Sequence, residues 1–454
     1  MERTGTRFRL YPQLPSPQGE GEWEVVSVSS PAGSLMPGPA DERMYVIDPI
    51  GKQDPYGFYP SPAGGQYHYK PPWKGPILPE AMPDADGHFD HLPFDSPQFQ
   101  HAHAFGSTRF TLDVWERYFG RRIDWHFSHH YDRLEILFLR SLDNAYAGFG
   151  SIELGEYTPK GGDLVQFGLS FDVISHEVGH LIIYSEIGMP ATWDFHGEYF
   201  GFHESAADMV SLVTLLHFET AMTGLLQATR GNLYTYNRLN RFGEVSDLGQ
   251  LRLASNPLTL YDFVDGWDKE HKLAQPLTGA LFDIWVDVFH EHLLRKGLIS
   301  AQAEDLSDRL EDDPNYHAVI QPLFDEAFAR NPQGFAEALA TARDYMGFAL
   351  AGTWSRLNSD HLDYADVFEA LMDTDQEING GRFQRLIAVN MLARGIGKVR
   401  AGPRLEEPDA ASHAFSARTA TPDDEVPSHR CGHLPYSKRM AIARGAPPSA
   451  RATK

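Results

Sequence analysis

Two short patterns, His176-Glu177-Val178-Gly179-His180 and Glu204-Ser205-Ala206-Ala207-Asp208, constrain this chain more than anything else in it. On a helix His176 and His180 stand at i and i+4, so both imidazoles leave one face about one turn apart, within reach of a single zinc ion. Glu177 lies beside them, where a carboxylate can take a proton from a metal-activated water without occupying the metal. Glu204 and Asp208 are again at i and i+4. A fold that uses all five residues must lay two helices side by side, with Glu204 as third ligand and Asp208 accepting the outer N–H of one histidine, His176 by preference.

The flanks favour this reading over a hydrated histidine pair and a solvated acidic edge. Ser170 or Asp172 can cap the first helix, Val173, Ile174, Leu181 and Ile182 form an apolar stripe, and Gly188 and Pro190 supply a stop. The second segment is as apolar, with Ala206, Ala207, Met209, Val210, Leu212 and Val213. Ionisable groups on helices of this kind need partners.

With both patterns in place, the chain resembles the thermolysin-like zinc metallopeptidases of the gluzincin group, whose signature is H-E-x-x-H followed on the next helix by E-x-x-x-D. Two further segments carry the resemblance. Residues 144–155, beginning Asn144-Ala145-Tyr146, resemble the family's edge strand, which binds an extended peptide through its backbone with help from an Asn-Ala pair. On the residues alone this is equally an ordinary hairpin. The segment from His271 to Phe282 resembles the one that carries the family's catalytic histidine. The resemblance implies that His271 hydrogen-bonds the oxyanion of the tetrahedral intermediate, whereas the polar run around it reads as surface. The implied fold is α+β and two-lobed: a mixed sheet and helix lobe, then a mainly helical lobe, with zinc in the cleft between them.

The connection from His180 to Glu204 is longer than in the best-known members, and it contains His196, while His203 directly precedes Glu204; either imidazole could compete as a ligand. Glu204 ranks first because only it pairs with Asp208 at the family spacing. The other large zinc-peptidase pattern, H-E-x-x-H-x-x-G-x-x-H, fails at Ile183 and Glu186. The nearest candidate for an oxyanion tyrosine is Tyr199, and Asp265 or Asp268 could pair with His271. The G-x-M-E-N signature of aminopeptidases is absent, which ranks an endopeptidase ahead of an aminopeptidase; a zinc fold kept as a non-catalytic binding module is the other alternative.

Composition sets outer bounds. The 454 residues can bury one large or two ordinary cores, and the net charge of −23 disfavours nucleic acid and anionic membranes as partners, leaving a peptide or protein substrate. A lone Cys431 excludes an internal disulfide framework. The N-terminus lacks the apolar core of a secretory signal, which fits a cytoplasmic chain or one exported by another route. Residues 1–100, rich in Pro, Gly and aromatics, are expected as an extended arm over the catalytic body, with the first forty mobile. The α+β lobe is expected over 101–225, a mainly helical lobe over 226–400, and disorder over 401–454. Helical spacing appears at 111–119, 276–296, 332–350, 361–372 and 383–394, and strands at 134–139 and 151–156. Asp373 to Gly380 suggests a calcium loop, but Ile378 occupies the position that needs Gly, so a helix-terminating turn is expected there and calcium is not supported.

Overall fold

The computed structural model describes residues 5–397, apart from 17–18, 20, 62–63, 141, 159, 161, 192–196, 235–240, 243–251, 265, 268, 311–312 and 314. His196, Asp265, Asp268, Cys431 and the whole of 401–454 therefore lie outside the described residues. The strands used below are β1 (Gly5–Leu10), β2 (Glu24–Pro31), β3 (Met44–Ile47), β4 (Gly57–Pro60), β5 (Gln66–Tyr69), β6 (Leu134–Arg140), β7 (Ala145–Gly148), β8 (Ser151–Tyr157) and β9 (Val165–Gln166). The helices are α1 (Pro97–Phe119), α2 (Phe171–Glu186), α3 (Gly197–Leu215), α4 (Glu219–Thr229), α5 (Glu270–Arg295), α6 (Ala301–Leu310), α7 (Tyr316–Arg330), α8 (Pro332–Trp354), α9 (Tyr364–Asn379) and α10 (Gln384–Ala393). The architecture is α+β, as expected.

The central sheet runs β3-β6-β8-β7, with β9 also on β8. β3, β6 and β8 are parallel, while β7 and β9 pair antiparallel with different stretches of β8. β6, Leu-Glu-Ile-Leu-Phe-Leu-Arg, is buried along six of its seven residues, the pattern of a strand covered on both faces. On one face Leu134, Ile136 and Phe138 join the main core. On the other, Glu135 is buried and accepts hydrogen bonds from Tyr45 Oη (2.6 Å), Tyr56 Oη (2.7 Å) and the Trp73 backbone N–H (3.0 Å). Its neighbour Glu153 on β8 takes Lys52 Nζ at 2.8 Å and the Tyr56 N–H at 2.9 Å.

Those two carboxylates correct the expectation for residues 1–100. The segment is extended, as its prolines require, but it is built into the fold. β3 is a strand of the central sheet, and the β1–β2 hairpin packs on α1, placing Phe8, Leu10 and Val28 in the core. The stretch that follows covers the outer sheet face. Charge buried there must be hydrogen-bonded, and Lys52, Tyr45, Tyr56 and Trp73 supply the donors.

α1 begins where Ser96 accepts the Phe99 N–H and Pro97 takes the first turn, and it ends on Gly120 at φ 67°. In the second half of the chain α5, α8, α9 and α10 pack on one another, with α7 and α4 against α8. α5 starts six residues before the proline at which the spacing placed it. Pro276 lies inside the helix, where carbonyls just before it take side-chain donors: Leu273 O accepts from Tyr364 Oη at 2.7 Å and Gln275 O from Asn256 Nδ2 at 2.9 Å. His271 thus belongs to the first turn of α5. Residues 373–379, expected as a turn, are the last turns of α9, which ends on Gly380 at φ 67°. Asp375 there is fully buried and accepts from Tyr345 Oη and the Phe383 N–H, so its oxygens help fix the end of α9. Among the described residues no single helix is long and apolar enough to cross a membrane.

Candidate metal centre

α2 and α3 run antiparallel in close contact, and a small-residue seam sets their distance. A Cβ added to Gly179 would stand 2.8 Å from Ala207 Cα and 3.1 Å from Val210 Cβ. Ser175 Oγ and Ser211 Oγ, 2.8 Å apart, join the helices one turn farther along, where Ser211 also donates to Asp172 O. Ser170 occupies the N-cap of α2, but its hydroxyl donates to Asp172, whose carboxylate accepts the Val173 N–H. The α2 end is Ile187, followed by Gly188 at φ 89°.

This register carries the site. Each step toward the C-terminus of α2 meets a step toward the N-terminus of α3, so His176 faces Asp208 and His180 faces His203 and Glu204. His176 Nε2 is 3.4 Å from Glu204 Oε2, and His180 Nε2 is 3.6 Å from Glu204 Oε1. The two imidazoles stand at 86° with centroids 4.6 Å apart. Their outer nitrogens are both engaged: His176 Nδ1 with Asp208 Oδ1 at 3.0 Å, and His180 Nδ1 with His203 Nδ1 at 2.7 Å. One donor atom each from His176, His180 and Glu204 lies within 4.8 Å of the others, the one such cluster of metal-binding type among the described residues. Two imidazoles and a carboxylate are the donor set a zinc site takes, and the engaged outer nitrogens leave Nε2 for the metal.

The remaining expected residues are placed as follows. Glu177 is 7% exposed beside the histidines, and Glu204 is fully buried. His271, brought in on the first turn of α5, has Nδ1 2.7 Å from Glu204 Oε2. That approach depends on Gly201, where a Cβ would stand 2.2 Å from Tyr364 Oη and 3.1 Å from Leu273 Cγ. Asn144 and Ala145 are buried at the start of β7, Asn144 O accepting the Gly155 N–H at 2.9 Å. β7 packs against α2 and pairs with β8 on one edge only; among the described residues no strand takes its other edge.

Tyr199, the tyrosine singled out in the sequence, packs at the junction of α2 and α3. It is 1% exposed, donates to Gly188 O at 3.2 Å, and tethers the start of α3 to the end of α2, with its ring 5.7 Å from that of His203. The residue missed in the sequence is Tyr184, whose ring lies 4.2 Å from His203; burial holds its hydroxyl well above the ordinary tyrosine range, and Glu204 and Glu177 add to the effect. One turn beyond His180 on the same helix, it was legible from spacing alone. His203 Nδ1 meets His180 Nδ1, and burial pushes the His203 pKa down to about 3, so the ring is neutral at ordinary pH. His126, 5.3 Å from Tyr184, is pushed down to about 4 for the same reason. A separate groove of about 630 Å³ between α1, α8 and α9, lined by Tyr118, Phe348 and Ile378, contains none of these groups.

The Gly179 seam yields a prediction. In Gly179→Val the new side chain meets Ala207 backbone, which cannot yield as a flexible side chain would, so α3 must move away and take Glu204 with it. Overpacking of this kind costs about 1–3 kcal/mol. Thermal unfolding and zinc titration should show a lower Tm and weaker metal uptake together; wild-type values for both would show that the seam does not set the site.

The fold and the site thus define an α+β protein with a buried His-His-Glu cluster of metal-binding type on an antiparallel helix pair. No protein-family model matches the chain, and no curated protein matches its sequence. Among solved structures it is similar to the precursor of protealysin, a metalloproteinase from Serratia proteamaculans, at 12% identity and a TM-score of 0.44 over 80% of this chain and 90% of that one.

Proposed function

We propose that this protein is a zinc-dependent endopeptidase of the gluzincin kind. The observation that carries the proposal is the orientation of the two imidazoles: both Nε2 atoms turn toward the Glu204 carboxylate while both Nδ1 atoms are engaged. His176, His180 and Glu204 would hold the ion and Asp208 would fix His176. Zinc in such a site lowers the pKa of a water and polarises a carbonyl oxygen.

The chain's own groups do the rest. Glu177, almost removed from bulk solvent, takes the proton of the attacking water and passes it to the departing amine. His271, whose Nδ1 meets Glu204, would offer its other nitrogen to negative charge developing on the substrate oxygen. The outer edge of β7, from Ala145, offers backbone groups to an extended peptide, a mode of capture that gives affinity with little sequence preference. The substrate class is therefore a peptide or protein chain.

Metal analysis of the purified protein, paired with digestion of casein or a mixed peptide pool before and after chelation, tests this. Stoichiometric zinc, and cleavage that is lost on chelation and restored by zinc, are expected. Zinc without cleavage would move the reading to a non-catalytic binding module. Cleavage confined to free N-termini would make it an aminopeptidase.

A further inference from the structure

We propose that His203 is the positioning residue of His180: its Nδ1 accepts the outer N–H of that imidazole and keeps His180 Nε2 deprotonated and turned toward Glu204. The inference rests on the metal reading above and adds a residue to it.

The geometry is specific. The facing Nδ1 atoms are 2.7 Å apart and the rings are nearly parallel, at 14°. That separation holds one hydrogen, so one ring donates and the other accepts. If the hydrogen belongs to His203, neutral His180 carries its own proton on Nε2, the atom that faces Glu204, and its lone pair is lost to a metal. If it belongs to His180, Nε2 presents a lone pair and His203 carries its second hydrogen on its own Nε2. That atom is buried and has no hydrogen-bond partner among the described residues. The metal-competent arrangement thus leaves a buried donor unmet, a cost that bound metal must offset.

His203 cannot swing away to avoid this. It is 1% exposed and wedged by the Tyr184 ring and by Tyr199, itself tied to Gly188 O. The support of the two histidines is therefore unequal. His176 faces Asp208, a carboxylate that accepts, while His180 faces a group that can either accept or donate. An amide oxygen at position 203 would accept from His180 without needing a partner for a second ring nitrogen.

The test is competition for zinc against a chromophoric chelator in the full chain: wild type, His203→Leu and His203→Asn, with thermal unfolding of each metal-free protein as the control for folding. His203→Leu should bind zinc about 10–100-fold more weakly, the range found for such outer partners, and His203→Asn should return to the wild-type affinity or exceed it. Wild-type affinity in His203→Leu, or equal weakening in both variants, overturns the proposal while leaving the metal reading intact. Wild-type protein that takes up no zinc overturns the metal reading and this inference with it. Should His203→Leu fail to fold, nitrogen NMR of zinc-loaded wild type labelled at histidine decides: a proton on His180 Nδ1 supports the assignment, and a proton on His203 Nδ1 overturns it.

Discussion

Glu177→Gln is expected to lower peptide hydrolysis by about 10²–10⁴-fold, the contribution of a positioned general base, with zinc content unchanged. The two outcomes separate because of where Glu177 stands. It follows His176 on α2 but is not among the three residues whose donor atoms converge, so the amide removes the base without touching the ligand set. Gln is nearly isosteric and uncharged, and at a position 7% exposed it should perturb packing little. Initial rates on a mixed-peptide substrate, read beside metal analysis of the same preparation, check it. A variant that cleaves as fast as wild type would remove Glu177 from the chemistry, and one that loses its zinc would make Glu177 part of the metal's support.

The second large effect is expected far from the metal. Arg394, just beyond α10, and Asp283 on α5 form an ion pair at 2.7 Å in which both side chains are wholly buried. The guanidinium also donates to Asn256 O at 2.7 Å and Leu258 O at 2.8 Å, clamping the segment before α5 to the end of α10. Among the described residues Asp283 Oδ1 has no hydrogen-bond partner and the arginine is the sole compensation for that charge. Arg394→Met should therefore cost about 3–5 kcal/mol, the penalty for stranding one half of a buried pair. Against a typical domain stability of about 5–15 kcal/mol that is a large share. Adding Asp283→Leu should recover much of the loss, because the double variant buries no charge. Urea unfolding of the three proteins measures this, and a single variant within 1 kcal/mol of wild type, by the same reckoning, would show the pair to be solvated or replaceable.

The candidate site was legible where its logic is local. Helical spacing alone puts His176 and His180 on one face and Glu204 and Asp208 on another, and the structure brings these four together, with Asp208 on His176 and Glu204 across from both Nε2 atoms. Of α1 only the last turns, 111–119, were read; its start at Pro97, capped by Ser96, was missed although that signal is local. Apolar runs marked β6 and β8, because strands buried on both faces carry little else. What else escaped was non-local. Proline and glycine in the first hundred residues excluded helix, yet nothing in them announced that Met44–Ile47 pairs in parallel with residues at Leu134 onward, or that Lys52 and three aromatic residues serve two buried glutamates. Tyr199 was chosen by proximity in sequence to Glu204, but the turn of α3 points it at Gly188.

From the amino-acid order alone came the ligand types, their spacing within each helix, and the carboxylate beside them, because an α-helix converts three- and four-residue intervals into a shared face whatever surrounds it. Only the tertiary structure decided which nitrogen of each histidine faces Glu204, that His203 meets His180, and that His271 reaches Glu204. Those outcomes depend on the antiparallel register of α2 on α3 and on the close approach of α5 at Gly201, distances set by packing between segments whose separation along the chain carries no record of it.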